Sequence, residues 1–198
     1  RSASMSCQDE GMASSLGTLH YFDHNLQVHR VVVGPYANNV FVVRCLHTGE
    51  AVLIDAANEH EKLLELCTAL GVTKVLETHG HHDHVGAAAD LCGDDLPFVI
   101  HEADALALTD PTAWGAGYDV GPQDVKDLRT VADGDVLRFA GFTIHVLHTP
   151  GHTPGQIRFD LESRGKRAIF AGSFSRVCSS RKTSRLASAA AHPSWFAV

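Results

Sequence analysis

Between Thr78 and Val85 the chain reads Thr-His-Gly-His-His-Asp-His-Val, placing four histidines and one aspartate within six residues. Imidazole and carboxylate are the side chains that first-row divalent metals prefer, so this density points first to a metal site. His79 and His81, two residues apart, can both face one ion, while Asp83 and His84 can turn toward a second. A further imidazole, His152, sits in the tight loop Thr149-Pro150-Gly151-His152-Thr153-Pro154-Gly155. His20, His24, His29, His47, His60 and His101 show no ligand spacing. His145 alternates with Thr143 and Leu147 and reads as a structural strand residue. His148 reads as a surface residue, or as a donor behind the second loop.

The elements around these residues must position them. Lys74–Glu77 is strand-like and Val85–Leu91 helix-like, so the histidine cluster falls on a loop at the C-terminal end of a strand, where α/β sheets place their ligand sites. Upstream, Val28–Val33, Asn39–Cys45 and Ala51–Asp55 read as strands joined by short turns, which predicts an antiparallel meander. Asn58, with Glu61 three residues on, predicts a capped helix over 58–70 that buries Leu63, Leu66, Cys67 and Leu70 and stops at Gly71. A helix over 85–92, a strand over 98–100 and a short helix over 102–108 follow. The Gly- and Pro-rich stretch Asp110–Asp124 reads as a long functional loop. In it Trp114 and Tyr118 either line a pocket or anchor the loop to the body. Strands at 136–139, 142–147, 156–161 and 167–171 complete the pattern.

The 198 residues suffice for one α/β domain, with a disordered leader at 1–15, the domain at 16–173 and a Ser/Arg/Ala-rich tail at 174–198. That tail carries four basic residues and no acidic one, and reads either as an appendage or as sequence foreign to the fold. A net charge of −7 argues against a general nucleic-acid binder. No apolar run is long enough to span a membrane, so no membrane partner is expected. Five cysteines without a CxxC pair predict free thiols in a reducing compartment, the cytoplasm.

His79-Gly80-His81-His82-Asp83-His84 resembles the HxHxDH motif of the metallo-β-lactamase fold, and Thr149–Gly155 resembles that family's second metal motif. Val52-Leu53-Ile54-Asp55 is similar to its early strand ending in Asp, and Phe170-Ala171-Gly172 to the start of its third metal motif. The match runs from about Leu26 to Ser173. It implies an αββα sandwich, two mixed sheets flanked by helices, with an incomplete C-terminal half. It also implies a first metal site of His79, His81 and His152, with a position left open for water as catalytic zinc requires. Asp83 and His84 match the second site, with Asp83 the catalytic candidate that orients the nucleophile. His82 falls at a variable position. Asp55 resembles an outer residue orienting the ligands; it equally fits a cap on the turn into the next helix.

Here the sequence departs from the family's pattern. The third motif usually reads Gly-Asp, whereas Gly172 is followed by Ser173, a poor bridging ligand, and the family's usual last histidine has no good counterpart. His192, near the terminus and off any strand signal, is not expected to be a ligand. One firmly held zinc is therefore expected, with a second weak or absent and iron or manganese as alternatives. The activity implied is hydrolysis of an ester or thioester by zinc-activated water. Leu147–Gly155 is most like the glyoxalase II group of thioester hydrolases, whose C-terminal helical segment has no counterpart here, so the resemblance stops at the metal core and names no particular small-molecule substrate. The alternatives are an inactive or incomplete member, a β-lactam hydrolase and an iron-dependent persulfide dioxygenase.

Overall fold

The four residues Ala51–Ile54 form strand β4, and all four are buried, because this strand is covered on both faces. Leu53 packs with Leu63, Leu66 and Leu70 of the following helix, whereas Val52 and Ile54 pack with Ile144, Ile157, Phe159 and Phe170 of a second sheet. A strand buried on both sides reads as a continuous apolar run rather than an alternating one. The structure, a computed structural model, describes residues 17–110, 112–113 and 121–172, together with the backbone of 195–197.

The first sheet has seven strands in sequence order. They are β1 (Thr18–Phe22), β2 (Leu26–Val33), β3 (Asn38–Cys45), β4, β5 (Val72–Leu76), β6 (Phe98–His101) and β7 (Leu128–Val131). The meander expected from the sequence is present as antiparallel β2-β3-β4, after which β4 through β7 pair in parallel. Helix α1 (His60–Leu70) makes the first parallel crossover and buries the four predicted residues, and Gly71, at φ 74°, returns its N–H to Cys67. The second sheet runs β12-β11-β10-β9-β8. Its strands are β8 (Val136–Arg138), β9 (Thr143–His148), β10 (Ile157–Ser163), β11 (Lys166–Phe170) and β12 (Trp195–Ala197). All pairs in it are antiparallel except β11–β12.

Two mixed sheets thus pack face to face, with the helices against the first. The buried apolar residues of α1, of α2 (His82–Val85) and of α3 (Ala88–Cys92), with Leu108 of α4 (Leu106–Thr109), belong to the cluster outside that sheet. None enters the cluster between the sheets.

Three sequence expectations need correction. The helix over 85–92 is two short helices, so Asp83 and His84 lie on α2 rather than in a loop. The helix over 102–108 is a 3-10 turn, Glu102–Asp104, followed by α4. Asn58 does not cap α1: its side chain accepts from the adjacent Glu59 N–H, and Glu59, at φ 53°, holds the cap position without a side-chain bond. Strand β12, beside β11 with Trp195 opposite Arg167, falls within the stretch set apart as the tail. Edge strands β1 and β7 were missed because they are largely exposed and show no apolar alternation. Ser173, Trp114, Tyr118 and His192 lie outside the described residues.

Candidate metal centre

Parallel strands β4, β5 and β6 end side by side, and the residues that follow them converge. Asp55, immediately after β4, is 2% exposed and left-handed at φ 69°, an unfavourable conformation for a non-glycine residue that is often found at functional sites. Its carboxylate accepts the Thr78 N–H at 2.8 Å, the Thr78 hydroxyl at 3.0 Å and His84 Nδ1 at 2.9 Å. Asp55 thus spends its carboxylate on Thr78 and His84, and no side chain caps the start of α1.

Those bonds assign a tautomer to His79. The single Thr78 hydroxyl proton goes to Asp55, so the 3.1 Å contact between Thr78 Oγ1 and His79 Nδ1 requires Nδ1 to be the donor. The lone pair then resides on His79 Nε2. That atom is buried and has no hydrogen-bond partner. Burial, reinforced by the neighbouring imidazole of His84, lowers the His79 pKa to about 3, so the ring is neutral at physiological pH.

His81 and His152 complete the group. His81 begins α2, and His152 stands on the loop between β9 and β10. Nitrogens of His79, His81 and His152 lie within 4.8 Å of one another, and His81 Nδ1 is 2.9 Å from His152 Nε2. Zinc–nitrogen bonds of 2.0–2.1 Å in a tetrahedron put nitrogens about 3.3 Å apart, so small ring rotations bring the three around one ion. A buried lone pair without a partner and two converging imidazoles fit a metal, and these three residues can hold one.

Beside this trio, His84 presents Nε2 at 3.7 Å from Asp83 Oδ2. Asp55 fixes the other His84 nitrogen, the arrangement by which a carboxylate orients a ligating histidine. Burial opposes charge on His84, but the Asp55 carboxylate outweighs it and raises the pKa. Burial also opposes charge on Asp83; the Asn38 amide and His84 more than offset it, and Asp83 is held below the usual carboxylate range. Asn38 Nδ2 donates to both the Asp83 carbonyl oxygen, at 2.7 Å, and its carboxylate, at 3.0 Å. The His79 and His84 rings lie 4.1 Å apart, so the two groups adjoin.

Three polar residues at this end escaped sequence reasoning. Asn38 opens β3, where it looked like any turn residue. Glu77 is fully buried; its Oε2 accepts the Ala56 N–H at 3.1 Å, and its carboxyl shares a hydrogen bond with Asp55. Burial and the adjacent Asp55 push Glu77 well above its ordinary pKa, while the neighbouring His84 holds Asp55 below its own against the effect of burial. Asp104, also fully buried, accepts from Gly80 N, Gly155 N and the Thr153 hydroxyl. The paired glycines of the two motifs were the available signal for Asp104, since tight loops that meet need backbone room for whatever joins them. His82 lies off the centre against Tyr36, and His148 stacks on the buried His101 at 4.2 Å rather than standing free. A cavity of about 290 Å³, bounded by Tyr36, Asn38, Phe41, Phe170 and Gly172, reaches Asp55 and His84.

Fold and site together define a metallo-hydrolase scaffold. The family model of the metallo-beta-lactamase superfamily matches residues 33–195, and the chain belongs to that superfamily. A protein of Aquifex aeolicus (strain VF5) is 38% identical over 145 residues, covering 72% of this chain and 67% of that one. A hydroxyacylglutathione hydrolase of Polaromonas sp. (strain JS666 / ATCC BAA-500) is 37% identical over 132 residues, 64% of this chain and 43% of that enzyme. The crystal structure of BLEG-1 B3 metallo-beta-lactamase superposes with a TM-score of 0.60 at 25% identity, over 73% of this chain and 70% of that one. The chain therefore spans less than half the length of the Polaromonas enzyme.

Proposed function

We propose that the protein is a zinc hydrolase of ester or thioester carbonyls in small molecules, acting in the cytoplasm. The observation that carries this reading is the buried, unpartnered Nε2 of His79 in one group with His81 and His152. The name of the Polaromonas relative, a hydroxyacylglutathione hydrolase, favours a thioester. The described cysteines Cys45, Cys67 and Cys92 are all free thiols, as a reducing compartment requires.

His79, His81 and His152 would hold a divalent ion, which would supply Lewis acidity, lowering the pKa of a bound water from about 15.7 toward about 7 and polarising a carbonyl oxygen. The chain's own groups do the rest. Asp83, ionised and fixed through Asn38, orients the attacking water and accepts its proton. Asp55 holds His84 and, through Thr78, His79 in their ligating tautomers. Phe41 and Phe170, in edge-to-face contact at 5.3 Å, wall the cavity beside these groups and exclude water from an acyl chain bound there.

The test is metal analysis of the purified protein together with turnover of thioester and β-lactam substrates. One zinc per chain with thioester cleavage is the expected result. Iron in place of zinc would shift the reading to persulfide oxidation, and β-lactam turnover would shift the substrate. A protein that binds no metal would defeat every hydrolase reading and leave an inactive member of the fold.

A further inference from the structure

We propose that Asp104 is the positioning residue that sets the separation of the two loops carrying the three histidines; the ligand part of this inference rests on the metal-site reading above. The loops belong to different sheets. His79 and His81 follow β5 of the first, and His152 lies between β9 and β10 of the second. One backbone bond, from Ile157 N–H to Thr78 O at 2.9 Å, joins the sheets beside the site, before the ligands begin. At the ligands themselves, the join is made by Asp104.

Asp104 comes from the 3-10 turn after β6, which is the parallel neighbour of β5, so the turn emerges beside the first loop. One oxygen, Oδ2, accepts both the Gly80 N–H at 2.8 Å and the Thr153 hydroxyl at 2.6 Å; the other, Oδ1, accepts the Gly155 N–H at 2.6 Å. Gly80 lies between His79 and His81, and Thr153 is next to His152. A single carboxylate, 0% exposed, thus stands one residue away from all three imidazoles.

Both loops are built to admit it. A methyl group on Gly155 would sit 2.7 Å from the Asp104 carboxyl carbon, and one on Gly80 would sit 2.7 Å from Ala107 Cβ and 3.0 Å from the Asp104 carbonyl oxygen. Contacts that close cannot be accommodated against backbone, so glycine at these positions sets how near the turn approaches. An amide in place of the carboxylate keeps the shape but turns an N–H₂ toward an N–H donor on one loop or the other, breaking the join on that side.

The experiment compares Asp104→Asn, Thr153→Val and Thr153→Ser with the parent protein. Zinc affinity is measured by chelator competition, the ligand field by the visible spectrum of the cobalt(II) form, and amide exchange at Gly80 and Gly155 in metal-free protein. Asp104→Asn should weaken zinc about 10- to 100-fold, the range found when partners behind metal ligands are removed. It should also shift the cobalt spectrum and speed exchange at Gly80 or Gly155, whichever faces the new N–H₂ group. Thr153→Val, nearly isosteric, should act in the same direction to a smaller extent, and Thr153→Ser should restore parental behaviour. If Asp104→Asn fails to fold, Thr153→Val decides. Parental affinity, spectrum and exchange in Thr153→Val would overturn the proposal and leave Asp104 a fold-stabilising residue alone. Should the parent bind no metal, the hydrolase reading falls, and the exchange rates in Thr153→Val still support or overturn the join.

Discussion

The two ends of the β-sandwich treat their polar groups in opposite ways. At the end away from the histidines, Asn25 Nδ2 donates to Gly141 O at 2.9 Å and to Ser163 Oγ at 2.5 Å, tying the first sheet to the second. Lys166 reaches Tyr21 Oη at 2.6 Å and Asp23 at 3.3 Å, and Asp23 in turn holds the backbone N–H groups of Asn25 and Leu26. The chain answers that end's hydrogen-bonding demand from within. At the histidine end it does not: His79 Nε2 and Thr149 Oγ1 are buried without a partner. A buried polar atom left unpaired costs about 1–3 kcal/mol, so such atoms do not gather in one place without something to answer them. Stability chemistry is closed at one end, and binding chemistry is left open at the other.

The largest effect expected from breaking this contrast is at the open end. His152→Ala removes one of three converging nitrogens on an exposed loop, so the fold should survive while the ion loses a third of its protein ligands. Zinc affinity should drop by more than about 100-fold, beyond the range for partners behind the ligands. The melting temperature of the metal-free protein should stay within about 2 °C of the parent, as for a surface substitution of under 0.5 kcal/mol. A large fall in that melting temperature would mean that the imidazole stabilises the fold and that the two ends do not divide as described.

The contrast also explains which parts of the site could be read from the amino-acid order. His79, His81, Asp83, His84 and His152 stand out as candidates because metal-binding side chains that crowd one loop or repeat a motif are visible along the chain. The meander and α1 were readable for a similar reason: buried faces leave a period, as Leu63, Leu66, Cys67 and Leu70 do. Asp104, Glu77 and Asn38 were not readable. Each is a single polar residue whose role comes from another segment folding over it, as Gly155 does over Asp104 across 51 positions. Asp55 could be narrowed to two roles, and the bonds that bear on them come from Thr78 and His84, 23 and 29 positions away. The start of α1 was misplaced because Asn58 spends its side chain on Glu59, a local bond that competes with the cap.

At the closed end, Asn25→Ala should do the reverse of His152→Ala. It removes two donated hydrogen bonds from a buried cross-sheet contact and leaves the Gly141 carbonyl and the Ser163 hydroxyl only the 3.2 Å bond between them, a loss of about 1–3 kcal/mol. Chemical denaturation should show that loss in the metal-free protein, while zinc affinity measured on the folded protein stays parental. Weakened zinc binding in Asn25→Ala would show that the far end also sets ligand spacing.

The smallest effect is a pH dependence at the same end. Burial alone would raise the Asp23 pKa, but the N–H groups of Leu26 and Asn25, with Tyr21 and Lys166, hold the carboxyl well below its ordinary range. A carboxyl whose pKa is lower folded than unfolded releases its proton more readily in the native state, so the unfolded chain binds more protons as the pH falls. Its contribution is complete above the unfolded pKa of about 3.9 and is lost progressively below it. Asp23→Asn should therefore be less stable than the parent at pH 7 by about 1 kcal/mol, the size of one net hydrogen bond, and the gap should narrow as the pH is taken below about 4. Denaturant titrations of both proteins at a series of pH values would measure it. A gap that does not narrow would assign the Asp23 bonds to shape rather than charge, and the closed end would then hold its two sheets without an electrostatic component.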